Sequence, residues 1–268
     1  MAEQRFRRST MMHGFPSTAT GAIMYKLMSP LLRSALFAAA ALAAHAVVAA
    51  PDAEQWLQDA EAAYDGVGTY TAIFHKQQRV AGILQPAETI LLKYRRTPFS
   101  LYMKWIRSPH KGSELLYVAG WNEGRARAHR GGILRFFMAD LDPRGRVLMA
   151  DNLRPVTSTG IGFLLETVAD NMRKAIGRGE LAFADRGEET VYGRNTRVLE
   201  MTFPKEKSGD YDGHRFVVNQ DAESRIPLRI RVYDRDGQLV ENYGYENLVL
   251  DAPLGDADFD PRNPAYRF

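Results

Sequence analysis

The stretch Arg225-Ile-Pro-Leu-Arg-Ile-Arg-Val-Tyr-Asp-Arg-Asp-Gly237 decides the fold. Ile226, Leu228, Ile230 and Val232 fall on one side of an extended chain, and Arg225, Arg229, Arg231 and Tyr233 on the other. That period of two is the signature of a strand with one face buried and one in water. Asp234-Arg-Asp-Gly237 then supplies the Asp-Gly turn chemistry of a hairpin into the next strand, Gln238 to Leu250.

The same grammar extends through the chain. Alternating β-branched and aromatic runs cover Tyr70 to Val80, Glu88 to Arg95, Phe99 to Arg107, Glu114 to Trp121, Arg125 to Arg130 and Ile133 to Met138. They resume at Leu181 to Asp185, Arg197 to Phe203 and Tyr211 to Asn219. Turn signals at Gly82, Pro86, Pro98, Pro109 to Gly112, Gly120 to Gly124 and Gly131-Gly132 are too closely spaced for helical crossovers, so the neighbours are antiparallel.

Two segments read as helices. Asp52 to Asp65 places Trp56, Leu57, Ala60, Ala63 and Tyr64 at helical spacing, and Thr159 to Ile176 places Ile161, Leu164, Leu165, Val168, Met172 and Ile176 on one face, with Thr157 to Thr159 as its N-cap. About ten or eleven strands with one polar face must bury the other by curling or by laying helices over it. The expected fold is mainly β, within the α+β class: a strongly curved antiparallel sheet or half-open barrel with helices over its concave face.

The 268 residues carry 35 Lys plus Arg against 32 Asp plus Glu, a formal net charge of +3. Residues 1–49 hold Arg5, Arg7, Arg8, Lys26 and Arg33 against Glu3, which leaves 30 basic and 31 acidic side chains beyond them. A near-neutral body has no general pull on phosphate backbones, so no nucleic-acid partner is expected. From Met24 the chain reads as a secretory signal: Lys26 and Arg33, an apolar run from Ser34 to Ala50, and small residues for cleavage near Ala49 or Ala46. The expected organisation is a leader over 1–49, its signal proper about 24–49, and a single domain over 50–268. Cysteine is absent, which removes disulfides, thiolate catalysis and the attachment site of a lipoprotein. A soluble, monomeric periplasmic product is therefore expected.

Several strings carry a family pattern: Tyr70-x-Ala72-x-Phe74-x-Lys76-Gln77-x-Arg79, Pro98-Phe99-Ser100-x-Tyr102-Met103-Lys104-Trp105, Lys111-Gly112-x-Glu114-x-Leu116-Tyr117-Val118, Arg154-Pro155-Val156-Thr157-x-x-Gly160-Ile161-Gly162, and Asp258-Phe259-Asp260-Pro261-x-Asn263-Pro264-x-Tyr266-x-Phe268. Together they resemble a family of exported bacterial proteins, domain of unknown function 1571. Its architecture is similar to the periplasmic outer-membrane lipoprotein carriers (LolA-like), and the resemblance implies a half-barrel lidded by helices over an apolar cavity. No cargo-site residue of those carriers falls on a matching motif here. Fold alone does not fix function.

The chemistry-bearing residues are sparse. His75, His110, His129 and His214 lie in the body without a zinc spacing, and no nucleophile elbow accompanies them. Asp256-x-Asp258-x-Asp260 opens like a calcium loop but meets Pro261 and Arg267 where Gly and Glu are needed, so it reads as a solvated acidic turn. Gly160-Ile161-Gly162 at a helix start offers free backbone N–H groups to an anion but lacks the Lys-Ser/Thr of a P-loop, and close helix-to-sheet packing explains it as well. No cofactor or metal is expected.

The aromatic and aliphatic set is richer than two short helices can cover: Phe99, Leu101, Met103 and Trp105 on one strand face, Ile90, Leu92 and Tyr94 on another, and Phe136 and Phe137 nearby. The excess predicts an apolar cavity lined by Leu101, Met103, Trp105, Ile161, Leu164, Leu165 and Val168, serving a non-enzymatic binding or carrier protein for an acyl-chain ligand, lipid or lipoprotein. A periplasmic hydrolase using His129 or His214 and an envelope protein-interaction scaffold are the alternatives.

Overall fold

A computed structural model describes residues 52–207 and 209–268; the leader and signal expected over 1–49 lie outside them. Helix α1 (Ala53–Asp65) starts at Asp52, whose carboxylate accepts the Glu54 N–H at 2.9 Å. There follow β1 (Thr69–Val80), β2 (Ile83–Leu84), β3 (Glu88–Arg95), β4 (Ser100–Trp105), β5 (Glu114–Val118), β6 (Ala126–His129), β7 (Met138–Leu141), the short helix α2 (Arg146–Met149) and the long helix α3 (Ile161–Arg178). The chain closes with β8 (Ala182–Val191), β9 (Arg194–Thr202), β10 (Arg215–Asp221), β11 (Pro227–Tyr233) and β12 (Leu239–Leu250).

All the strands join one antiparallel sheet of 12, in the order β7-β6-β5-β4-β3-β1-β12-β11-β10-β9-β8, with β2 paired to β1. The sheet is curved and unclosed. Its centre is the β1–β12 seam, which runs from Tyr70 opposite Leu250 to Gln78 opposite Glu241 with a register shift between Thr71 and Ile73. The β11–β12 hairpin turns as its Asp-Gly sequence requires: Gly237 has φ +78° and Asp234 Oδ1 accepts the Gln238 N–H at 2.8 Å.

The inward residues of most of the strands form one core with both long helices. It includes Tyr70 and Phe74 of β1, Leu101 and Met103 of β4, Ile230 of β11 and Tyr245 of β12, against Trp56 of α1 and Ile161, Leu165 and Val168 of α3. Helix α3 begins one residue later than the Thr157 to Thr159 cap predicts. Its N-cap is Gly160, without a side-chain cap, and the Ile161 N–H donates instead to the Tyr70 hydroxyl at 3.0 Å. Gly160 has φ +125°, and a Cβ there would lie 2.7 Å from the Tyr94 ring; one at Gly162 would lie 2.6 Å from the Tyr64 ring. These glycines let the helix start press onto the Tyr94 ring of β3 and the Tyr64 ring of α1.

One strand assignment needs correction. Ile133 to Met138 does not form a strand: Gly132–Phe136 is a 3₁₀ turn, and β7 begins only at Met138. Adjacent Phe136 and Phe137 cannot share a strand face, and the segment leaves Ile133, Phe136 and Phe137 exposed. The strand read over Leu181 to Asp185 runs on to Val191 through a bulge at Arg186-Gly187, where Gly187 has φ +89°.

The outer face is covered locally by the C-terminal tail. Tyr102, Leu116, Phe259 and Tyr266 form a second, smaller cluster. The acidic turn before it is not a cation site: Asp256 accepts Arg95 Nη1 at 2.6 Å, Asp258 accepts Lys93 Nζ at 2.7 Å, and Asp260 accepts Arg262 Nη2 at 2.7 Å. Burial raises the Asp258 pKa, but the Lys93 hydrogen bond and the Gly255 N–H outweigh it and hold the carboxyl below its ordinary value. A carboxyl depressed by folding contributes stability above its ordinary pKa of 3.8, and that contribution fades as pH falls through the folded value. Thermal melts taken below about pH 4 should therefore lose stability more steeply in the wild type than in Lys93→Met, which lacks the Lys93 share of the linkage.

Candidate functional site

Alternation dictates where the apolar floor of β1 and β3 stops. Continuing inward from Phe74, β1 presents Lys76 and Gln78, and the inward position of β3 beyond Ile90 is Glu88. Lys76 Nζ lies 2.9 Å from Glu88 Oε1 and 2.5 Å from Asn152 Oδ1, with both charged side chains about nine-tenths buried. Trp105, the last inward residue of β4, donates its indole N–H to Glu88. Gln78 donates to the Tyr243 hydroxyl and accepts the Leu153 N–H at 3.2 Å. Next to them Arg154 donates to Glu241 at 2.9 Å. Burial raises the Glu241 pKa, and Arg154 only partly offsets it. Burial also pushes up the Tyr243 and Tyr245 hydroxyls, and that of Tyr245 has no hydrogen-bond partner.

Two recesses meet at this polar band. The inner one, of about 90 Å³, runs under the start of α3 between Phe74, Met103, Leu164, Tyr243 and Tyr245. The outer one, of about 350 Å³, lies on the concave face of β4 to β7. Its floor is built by Leu115, Ala128, Ala139 and Leu141, and its walls by Leu134 and Phe137 of the turn before β7 and by Val147 and Leu148 of α2. Lys76, Trp105, Leu115, Leu148 and Asn152 line both, so the two form one groove with a polar waist. Volume and lining fit a small apolar ligand site.

Of the seven residues expected to line a cavity, Met103, Trp105 and Leu164 reach the groove. Leu101, Ile161, Leu165 and Val168 pack into the core and line neither recess. The residues that sequence reasoning missed, Leu115, Ala128, Ala139 and Leu141, carry the inward parity of β5 to β7. Parity was the available signal, but short strands and small side chains made it faint. Lys76 and Glu88 were legible as polar interruptions of an apolar face.

Three of the four histidines of the body contact backbone carbonyls or carboxylates. His129 is buried, with Nδ1 3.0 Å from the Arg130 carbonyl and Nε2 3.9 Å from Glu114 Oε2. His214 Nδ1 meets the Phe203 carbonyl at 2.5 Å, and His75 Nε2 meets Glu246 at 2.7 Å. None of these contacts includes a serine or threonine hydroxyl. Among the described residues no cluster of His, Asp or Glu has the arrangement of a metal site. No described helix is long and apolar enough to cross a membrane.

A family model described as protein of unknown function (DUF1571) matches residues 67–268. The chain belongs to that family. No curated protein matches this DUF1571 chain. Among solved structures it is similar to MucB, at 19% identity over 79% of this chain with a TM-score of 0.46; the match spans 63% of the MucB chain, less than two thirds of its length. It is also similar to the lipoprotein LppX of Mycobacterium tuberculosis, at 11% identity over 78% of this chain and 100% of that one, with a TM-score of 0.47. A LolA superfamily protein from Nitrosomonas europaea matches at 11% identity over 78% of this chain and 97% of its own, with a TM-score of 0.32.

Proposed function

We propose that this DUF1571 protein is a non-enzymatic periplasmic binding or carrier protein whose groove on β4 to β7 holds a hydrophobic envelope ligand, the acyl chain of a lipid or lipoprotein. The observation that supports the reading is the groove itself, about 350 Å³ in its outer part, floored by Leu115, Ala128, Ala139 and Leu141. An apolar recess of that size gains free energy by exchanging water for hydrocarbon, at roughly 25 cal/mol per Å² covered. At its waist the charges are matched within the protein, Lys76 by Glu88 and Arg154 by Glu241, while Arg130 and Asp151 line the outer part. A neutral chain therefore passes the waist without leaving an ion unpaired there, whereas a charged group would have to displace one of those partners. Of the residues singled out from sequence, Met103, Trp105 and Leu164 belong to this proposed site.

The test uses the protein as the host secretes it. Organic extraction and mass spectrometry are expected to recover acylated host molecules, and an environment-sensitive acyl probe is expected to bind one site. Ala139 is exposed on the groove floor, so Ala139→Trp fills the outer recess without crowding the core. It should lower probe affinity at least about tenfold, the equivalent of about 1.4 kcal/mol, with an unchanged melting temperature. Undiminished probe binding in Ala139→Trp would refute the groove as the ligand site.

A further inference from the structure

The turn that walls the groove also leaves apolar side chains in water. Ile133 is 88% exposed and Phe136 72% exposed, with Met138 and Val147 also exposed close by in the chain. Scattered exposed apolar residues are ordinary, but a cluster on one projecting turn marks a contact surface. The surrounding charges specify the contact. Ile133 and Phe136 share a surface recess with Arg135 and with Arg267 of the C-terminal tail. Arg135 lies over the Phe136 ring, 4.7 Å from its centroid. Among the described residues neither arginine has a carboxylate within ion-pair distance, and Asp140 accepts Nε and Nη2 of Arg127, at 2.9 Å each.

Exposed aromatic and aliphatic side chains ringed by uncompensated arginines are the composition of a surface that dips into a lipid headgroup layer: the rings enter the acyl boundary while the guanidinium groups stay at phosphate level. We propose that the segment 132–138, with Arg267, is a docking element for an anionic phospholipid bilayer. Leu134 and Phe137 of the same turn line the groove, so docking there would bring the groove mouth to the membrane surface. The proposal stands whether or not the groove carries a ligand.

Vesicle co-sedimentation tests it with the secreted protein. Binding to phosphatidylcholine vesicles containing phosphatidylglycerol should exceed binding to phosphatidylcholine alone by at least about tenfold and weaken with added salt. Ile133→Ser/Phe136→Ser should lose most of that binding, and Arg135→Gln/Arg267→Gln should lose about tenfold or more of the preference for anionic vesicles, given about fivefold per arginine. None of these four residues lines the groove, so acyl-probe binding should be unaffected in both variants, separating this result from the ligand proposal. Equal binding of wild type and Ile133→Ser/Phe136→Ser to anionic vesicles would overturn the assignment. So would an absence of vesicle binding coupled to self-association that the same substitution abolishes, which would make the patch an interface between copies of the chain.

Discussion

Leu165→Asp is expected to unfold the domain at neutral pH. Leu165 is 4% exposed on the sheet-facing side of α3, in the same cluster as Tyr70, Leu92 and Tyr245. Removing its side-chain packing costs about 2–5 kcal/mol. The new carboxylate has no cation within the cluster, so it must be buried charged or held neutral by a raised pKa, and either adds to the cost. A total above about 5 kcal/mol is comparable with the entire stability of an ordinary domain. Circular dichroism should show lost strand signal or a melting temperature lowered by more than about 10 °C. Leu165→Asn, which carries no charge, should be less severe. Val249→Asp, on an exposed position of β12, should change stability by no more than about 0.5 kcal/mol. A cooperative Leu165→Asp melt near the wild-type temperature would show that α3 does not seal the core.

The second large effect is expected at the other end of the chain. Tyr266 stacks on Tyr102 with ring centroids 3.8 Å apart, and its hydroxyl donates to the Asp258 carbonyl at 2.5 Å. Phe268 meets both rings edge-on and also the ring of His129. Beneath them the Glu114 carboxylate is fully buried, accepting the Arg267 N–H at 3.1 Å with Lys104 Nζ 3.0 Å away. Deleting residues 264–268 removes two aromatic anchors and a donor to that carboxylate. Truncating one buried aromatic costs about 3–5 kcal/mol, so the deletion should lower the melting temperature by at least about 6–10 °C. Glu114→Gln should recover part of the loss, because a neutral amide tolerates a missing donor better than a carboxylate does. A deletion variant that melts with the wild type would show that the tail is not docked.

Much of this architecture could be read from residue patterns. The alternation of Ile226, Leu228, Ile230 and Val232 gave the inward face of β11 directly. The stripe from Ile161 to Met172 gave the buried face of α3, and the aromatic tail gave its own anchoring. The reading failed where apolar content was mistaken for strand: Ile133, Leu134, Phe136, Phe137 and Met138 lack a clean period of two, and Gly131-Gly132 permits the tight turn actually formed. The candidate site was half legible. An apolar excess on the concave face was evident from Met103 and Trp105, yet its location depends on how far α3 extends over the sheet. No local pattern encodes that reach, and Leu101, Ile161, Leu165 and Val168 were therefore grouped with Met103, Trp105 and Leu164, which line the groove.

The β1–β12 seam also dictates when the molecule can be complete. Thr69 Oγ1 donates to the Ala252 carbonyl across 183 positions of sequence, and β1 from Tyr70 to Gln78 pairs with a strand near the end of the chain. Contacts this distant in sequence carry a large closure entropy and make folding slow relative to helical or hairpin-only domains. A chain delivered N-terminus first across a membrane would therefore hold α1 through β11 on the far side before the central strand pair could form. During such a delivery β1 would have β3 on one edge and nothing on the other, so the polypeptide would stay extensible enough to be threaded and would expose a long unpaired edge to any chaperone outside.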